Sequence, residues 1–327
     1  MKKKLSDPLS EKVIINSLLK KLNFNKKGTF NFENDAAYLN LINNKYKIAI
    51  TTDTILENVD FFKNDDPKSI AQKIMTVNLS DIYAMGANPK SYVMNLCLPS
   101  YIDNDWLNIF SNQLKKLQLQ YGYYLLGGDL SKSNQLIISA TFFGYIKKNL
   151  DVFQNKYEFN DDIWISGNIG ESKIGLEVLR KKILLDKNTK KYFKKKYLFP
   201  TPCELGPKLA KYCSSMKDIS DGLIGDLNKI LNNKAGAIIN IKNIPVSIKA
   251  NKIINSKNDI NLENIINAGD DYGLIIVSNP RYRKKIKNIA LDSKTKISCI
   301  GKIIRKKGIH FDSQFNIDNF KEFDHFS

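Results

Sequence analysis

The sequence predicts two mixed domains of the α+β or α/β class, and three observations predict it. Amphipathic helical stretches alternate with short β-rich runs in both halves of the 327 residues. With 43% hydrophobic and 26% charged residues, the chain has enough apolar content for two cores. Between the halves, Lys147 to Asn160 is polar and weakly patterned, which sets a boundary there and gives domains 1–148 and 149–327.

Ser10 to Leu22 reads as an N-capped amphipathic helix with Val13, Ile14, Leu18 and Leu22 near helical spacing. Tyr46 to Ile50 reads as a strand that runs into Thr51-Thr52-Asp53-Thr54. After Asp65-Asp66-Pro67 a helix extends to about Met85, where Gly86 and Pro89 stop it. A strand around Tyr92 to Leu98 precedes a helix over Asp105 to Tyr121. Two further β-rich runs, Tyr123 to Leu126 and Leu136 to Ile146, bracket Gly127-Gly128-Asp129.

In the second half, Ile163 to Ser166 reads as a short strand, and Gly167 and Gly170 punctuate the turn into a helix over Ser172 to Lys182. Lysine-rich Lys187 to Lys196 is a further helical candidate. Asp218-Ile219-Ser220 is extended, and Asp221-Gly222 opens a helix toward Leu231, with Ser220 or Asp221 as its cap. Ala237 to Ile241, Gly273 to Val277 and Ile297 to Ile304 are predicted strands, and Pro280 to Leu291 a basic helix.

Fifty-one Lys and Arg against 33 Asp and Glu give a net charge of +18, which first points to an anionic partner. Only Arg180, Arg281, Arg283 and Arg305 are arginines, however, and readers of nucleic acid lean on the guanidinium fork. A solvated lysine surface is the better reading of the excess. The longest charge-free run, Ser133 to Ile146, falls short of the ~20 apolar residues of a membrane span. No apolar h-region follows Met1-Lys2-Lys3-Lys4, so no secretory signal is expected. Cys97, Cys203, Cys213 and Cys299 contain no C-x-x-C pair, which fits reduced thiols and a cytoplasmic setting. With His310 and His325 as the only histidines, carboxylates and hard metals must carry any chemistry.

The acids are therefore the informative residues. Asp81 follows Ile70, Ile74 and Val77 at 4-3-4 spacing, continuing an apolar helix stripe on which a charge needs a partner. It is either a buried loop cap or a metal ligand. Asp53 ends a strand among three threonine hydroxyls, an oxygen-rich setting suited to Mg²⁺ and equally to an Asx turn. Asp129 follows two glycines, which allow close backbone approach or a plain tight turn. In Asp218-Ile219-Ser220-Asp221-Gly222, Asp218 and Ser220 share a face, and the helix start after them could receive a phosphate. Ala268-Gly269-Asp270-Asp271-Tyr272 reads as a hairpin turn. Gly167 to Gly175 lacks phosphate-loop spacing and reads as helix–strand packing. Acidic turns without histidine fit metal-assisted phosphoryl transfer, which needs positioning and charge neutralisation more than covalent help.

In order, Thr51-Thr52-Asp53-Thr54, Asn78-Leu79-Ser80-Asp81 with Ala84-Met85-Gly86-Ala87-Asn88-Pro89, Gly127-Gly128-Asp129, Asp218-Ile219-Ser220-Asp221-Gly222-Leu223, Gly269-Asp270-Asp271-Tyr272 and Phe323-Asp324-His325-Phe326 resemble the thiamine-monophosphate kinase family. The resemblance places the chain in the ATP-binding superfamily of aminoimidazole ribonucleotide synthetase and selenophosphate synthetase. It implies an N-terminal ATP-, Mg²⁺- and dimer-forming domain whose sheet pairs in a homodimer barrel, and a C-terminal domain that completes the active-site cleft. By the same resemblance, Asp35, Thr51, Thr52, Asp53, Asp81, Asp129, Asp218 and Asp221 bind Mg²⁺. Gly128, Asp129 and Ser220 contact ATP, and Asp60, Asp270 and Phe323 contact thiamine monophosphate. The implied reaction yields thiamine diphosphate by direct in-line transfer. The attacking phosphate oxygen is already ionised, so no side chain is expected as general acid or base.

The chain departs from the family pattern at Glu33-Asn34-Asp35-Ala36-Ala37, which has one acid of an expected pair. It also has Asp60 in place of a histidine, Asp270 in place of a glutamate, and no arginine around Gln154 to Lys156. Alternative readings are another small-molecule kinase or ligase of the superfamily, or a non-catalytic nucleotide- or nucleic-acid-binding protein, the last motivated by Lys190 to Lys196 and Lys284 to Lys287. No membrane partner is expected.

Overall fold

The computed structural model describes residues 20–22, 45–150, 152, 156–256 and 260–312. The predicted first helix lies outside them apart from Lys20–Leu22, a single 3-10 turn. Described residues within 1–78 and 89–145 form one compact unit, and those within 79–88 and 146–327 form a second.

The first unit is built on a four-stranded sheet of order β1-β4-β2-β3, comprising β1 (Tyr46–Leu56), β2 (Asn88–Leu98), β3 (Tyr124–Lys132) and β4 (Ile137–Lys147). Strict alternation of buried and half-buried residues along β4 marks a sheet covered on one face only. Its covered face carries Tyr92 stacked on Phe142 at 4.9 Å, with Tyr123 edge-on to both. Helices α1 (Pro67–Ala84) and α2 (Asn104–Tyr121) supply further apolar surface to this unit. Asp103 caps α2 by accepting from the Trp106 amide, and Gly122 ends it in the left-handed region at φ 76°.

Two predicted strand ends lie elsewhere. β1 continues through Asp53 to Leu56, and β3 continues through Gly127-Gly128-Asp129, so neither motif is a turn. The reason is strand pairing: β2 and β3 run parallel with Met94 opposite Gly128 and Asn95 opposite Asp129. A register shift after Tyr92 leaves Leu126 as an extra residue just ahead of the glycines, a bulge that re-aims the strand.

The second unit holds a six-stranded sheet of order β10-β7-β9-β5-β8-β6, made of β5 (Asp162–Ser166), β6 (Ser215–Asp218), β7 (Gly236–Ile239), β8 (Leu274–Ser278), β9 (Ile297–Ile304) and β10 (Gly308–Phe311). All its pairs are antiparallel except the edge pair β10–β7. Both β5 and β8 are buried at every residue, as expected for isoleucine-rich central strands covered on both faces. Around them lie α3 (Glu171–Leu179), α4 (Lys187–Leu198), α5 (Gly206–Leu209), α6 (Leu223–Leu231), α7 (Ile248–Ile254), α8 (Leu262–Ile266) and α9 (Arg283–Asp292). The glycine-punctuated stretch after β5 is a packing device, as its lack of phosphate-loop spacing predicts. A Cβ on Gly175 would lie 2.3 Å from the Phe193 carbonyl oxygen of α4. Among the described residues no helix is long and apolar enough to cross a membrane, and all four cysteines are free thiols.

Candidate functional site

Alternation along β1 divides its hydroxyl–acid motif between two faces. Ile48, Ile50, Thr52 and Thr54 are exposed on one, while Thr51, Asp53 and Ile55 lie on the other. The exposed hydroxyls form a ladder to β4: Thr141 donates to Thr52 Oγ1 at 2.9 Å, and Thr54 donates to Ser139 Oγ at 3.0 Å. The side chains of Thr51 and Asp53 therefore share a direction that Thr52 does not. On β3, Asp129 is exposed; its amide donates to Asn95 Oδ1 at 3.1 Å, and its Oδ2 accepts from Ser131 Oγ at 3.0 Å. The glycine before it is required by the sheet itself, since a Cβ on Gly128 would lie 1.7 Å from Met94 O. Asp60 closes the turn after β1: its Oδ2 accepts from the Leu56 amide at 2.8 Å, and its carbonyl accepts from Lys73 Nζ at 2.7 Å.

In the second unit the end of α1 meets the loop after β6. Asp81 is half-buried, with Val77 one turn before it, whereas residues 69–76 and 78–80 are buried. Asp81 thus continues the face of Ile70, Ile74 and Val77 at the point where its burial thins: Ile70 and Ile74 are fully buried, and Val77 and Asp81 are half-buried. Its neighbour Ser80, fully buried, donates to Asp218 Oδ2 at 2.9 Å. Lys217 Nζ lies 3.3 Å from Asp218 Oδ1 and 3.5 Å from Asp226 Oδ1. Burial works against the Lys217 charge, but Asp218 and Asp226, with Asp81 adding, outweigh it and hold its pKa above the ordinary lysine value.

Neither Ser220 nor Asp221 caps α6. The cap residue is Gly222, which has no side chain, and the bonding runs the other way: Asp226 Oδ2, from the helix, accepts from the amides of Ser220 at 3.0 Å and Asp221 at 2.9 Å. A helix side chain reaching back to upstream amides satisfies donors that the loop cannot. Burial pushes the Asp226 carboxyl up to about 6 against the pull of Lys217, with the Asp218 charge adding to the rise. Lys229 pairs with Asp221 and lies 3.5 Å from Asp226 Oδ1.

The acidic turn at Asp270 is no hairpin. It connects α8 to β8 and docks on the Asp218–Gly222 loop, with the Asp270 amide donating to Ser220 O and the Tyr272 amide to Ile219 O, both at 2.9 Å. Asp270 and Tyr272 adopt positive φ of 66° and 50°, and the Tyr272 hydroxyl donates to Asp270 Oδ1 at 2.7 Å. Next to Asp270, half-buried Asp271 accepts from the Gly170 amide at 2.6 Å, serving the N-terminus of α3 whose own cap is a glycine. Burial pushes the Asp271 carboxyl up to about 7; the Gly170 and Ser172 amides oppose this, and the charges of Glu171 and Asp270 reinforce it. Both acids line a pocket of about 410 Å³ with Tyr272, Lys196, Lys208 and Lys296. Among the described residues no three His, Cys, Asp or Glu side chains converge into a metal-holding group.

Residues 33–146 match the family described as AIR synthase related protein, N-terminal domain. A thiamine-monophosphate kinase of Buchnera aphidicola subsp. Acyrthosiphon pisum (strain APS) is 35% identical over 298 residues, covering 89% of this chain and 91% of the relative. The chain belongs to the thiamine-monophosphate kinase family. A thiamine-monophosphate kinase of Haemophilus influenzae is also 35% identical, over 86% of this chain and 87% of its own. The crystal structure of thiamine-monophosphate kinase from Stenotrophomonas maltophilia K279a shares the fold with a TM-score of 0.77 at 26% identity, covering 86% of this chain and 89% of that one. AaThiL complexed with AMPPCP and TMP has the same fold, with a TM-score of 0.75 at 24% identity over 83% and 85% of the two chains.

Of the residues that the kinase resemblance singles out, Asp35 and Phe323 lie outside the described residues. In the first unit are Thr51, Thr52, Asp53, Asp60, Gly128 and Asp129. The second unit brings Asp218, Ser220, Asp221 and Asp270 into one bonded neighbourhood, and the Asp81 charge acts on Lys217 within it. Ser80 and Asp271 stood in quoted motifs without a role of their own, and Lys217, Asp226 and Lys229 were missed from the sequence. Asp226 was detectable: it lies on α6 among Leu223, Leu227 and Ile230, an acid on an apolar face. The lysines carried no such signal in a chain with so many.

Proposed function

We propose that this chain is a Mg²⁺-dependent kinase that phosphorylates thiamine monophosphate to thiamine diphosphate with ATP. The observation that carries the reading is the Asp218–Gly222 loop. Its acids are held by Ser80, Lys217 and Lys229, its amides by Asp226, and the turn bearing Asp270 is bonded to its backbone, in a chain of this family. Gly128, Asp129 and Ser220 contact ATP, and Asp60, Asp270 and Phe323 contact thiamine monophosphate.

Asp35, Thr51, Thr52, Asp53, Asp81, Asp129, Asp218 and Asp221 are the proposed metal donors. All are oxygen donors, the hard set that Mg²⁺ prefers, and an ion that keeps several waters and takes one or two carboxylates does not need three converging acids. Because the Thr52 hydroxyl points away from Asp53 and is bonded to β4, its carbonyl is the proposed donor. Bound Mg²⁺ supplies charge neutralisation for the transferred phosphoryl group. The residues hold and orient two anions, and no side chain takes a proton, since the acceptor is a phosphate oxygen.

The domains proposed are 1–148, for nucleotide binding and dimerisation, and 149–327, which supplies Asp218, Ser220, Asp221 and Asp270. The homodimer is proposed through the uncovered face of the first sheet, where Ile48 is 36% and Ile50 62% exposed. Nucleic acid is not the proposed partner: Arg283 forms a two-bond pair with Asp162, Arg281 and Arg305 stack on Tyr282 and Phe159, and Arg180 faces Glu177. Four free thiols support a cytoplasmic location. The test is formation of thiamine diphosphate from ATP and thiamine monophosphate, with Asp53→Asn and Asp81→Asn as controls; absence of product with the parent protein refutes the reading.

A further inference from the structure

The loop that carries Asp218 and Asp221 is flanked by two cations, Lys217 from β6 and Lys229 from α6, and they differ in what they can do. Lys217 is the inner one. Its side chain is 11% exposed and lies between Asp218 and Asp226, both almost wholly buried. Withdrawing it would leave buried carboxylates without a counter-charge, which is strongly unfavourable. Lys229 is the outer one, 36% exposed, and its partner Asp221 is 27% exposed. It comes from α6 on a flexible four-carbon stem, and it has a second acid, Asp226, 3.5 Å away.

We propose that Lys229 is the resident counter-ion of Asp221, which a divalent cation must displace, and that it thereby sets the metal affinity of this part of the site. The inference rests on the assignment of Asp221 as a metal donor. When Lys229 leaves Asp221 it remains beside Asp226, so no buried charge is orphaned by the exchange. Asp226 is the fixed point. Its Oδ2 is occupied by the Ser220 and Asp221 amides, so the loop keeps its course while its Oδ1 receives the lysine. Lys229 is then a positioning residue that keeps Asp221 in place before metal arrives. A solvent-accessible ion pair is worth little. The competition is correspondingly modest, and metal still wins.

The experiment is Mn²⁺ binding to the full-length protein without nucleotide, followed by electron paramagnetic resonance and calorimetry. Lys229→Met is expected to bind Mn²⁺ about two- to fivefold more tightly than the parent, and Lys229→Arg, which keeps the charge, to bind like the parent. In an Asp221→Asn background, Lys229→Met should change nothing. Equal or weaker binding by Lys229→Met overturns the proposal, as does a parent protein that binds no Mn²⁺ at millimolar concentration. Circular dichroism checks folding, and Lys229→Gln replaces the Met variant if that one does not fold, with the same tightening expected. The titration needs no substrate, so its failure is distinct from failure of the kinase reading, which appears only as missing thiamine diphosphate.

Discussion

Gly269 lies against the carbonyl oxygen of Ser220 so closely that a Cβ at this position would be 1.9 Å from it. That approach brings two distant motifs into one structure, because the next amide, of Asp270, bonds the same oxygen. Gly269→Ala must push the two loops apart or break that bond. It is expected to cost about 2–4 kcal/mol and to lower kinase activity strongly, measured by thermal unfolding and by thiamine diphosphate formation. A variant with the parent's melting temperature would show that the loops do not dock this way.

Gly128 makes a comparable approach inside the first unit, where the barrier is Met94 O across the β2–β3 pair. Gly128→Ala is expected to disturb strand pairing at Asp129, raising KM for ATP and lowering the melting temperature. Gly122→Ala is the comparison: nothing lies within 4 Å of its Cβ position, so its cost is limited to the left-handed backbone, about 1 kcal/mol. If the two variants are equally stable, steric closeness at Gly128 is not what the glycine serves.

Much of this was legible because helices and strands announce themselves locally. The stop at Gly86 and the apolar runs of β5 and β8 each encode their element within a few residues. The acids were harder. Asp53 and Asp129 look like turn residues by composition, yet both sit within strands, because pairing across the sheet outweighs local turn preference. Asp271 was unreadable for a different reason: its bonding partner, the Gly170 amide, is 101 residues away. The cap of α3 is supplied from another part of the chain, so nothing beside Gly170 betrays it.

Asp271 also predicts how stability depends on pH. Its folded-state pKa near 7 lies well above the ordinary aspartate value of about 4. The native protein therefore keeps a proton that the unfolded chain releases, and stability falls as pH rises from about 4 to 7. Asp271→Asn retains an acceptor for the Gly170 amide without a charge to bury. Its melting temperature relative to the parent should rise between pH 5 and pH 8, by about 2 °C or more. A difference that stays constant across that range would mean the carboxyl titrates at its usual value.

Ser80 and Asp218 allow stability and chemistry to be separated at one hydrogen bond. Ser80 is fully buried and its hydroxyl has Asp218 Oδ2 as its acceptor, so Ser80→Ala removes a donor from a buried carboxylate and should cost about 1–3 kcal/mol. Lys217 still faces the other oxygen, Oδ1, so the carboxylate keeps its charge and its place in the loop. Activity in Ser80→Ala should therefore fall only a few-fold at temperatures where the protein stays folded. Asp218→Asn keeps the shape and an acceptor for Ser80 but removes the charge, and Lys217 retains Asp226. Its stability should stay within about 1 kcal/mol of the parent, while kcat falls at least about a hundredfold, the scale of losing one electrostatic contact to a transition state. Measuring unfolding and turnover on both variants decides the point: if Asp218→Asn loses stability and keeps its turnover, Asp218 is a structural acid and the metal-binding role moves to its neighbours.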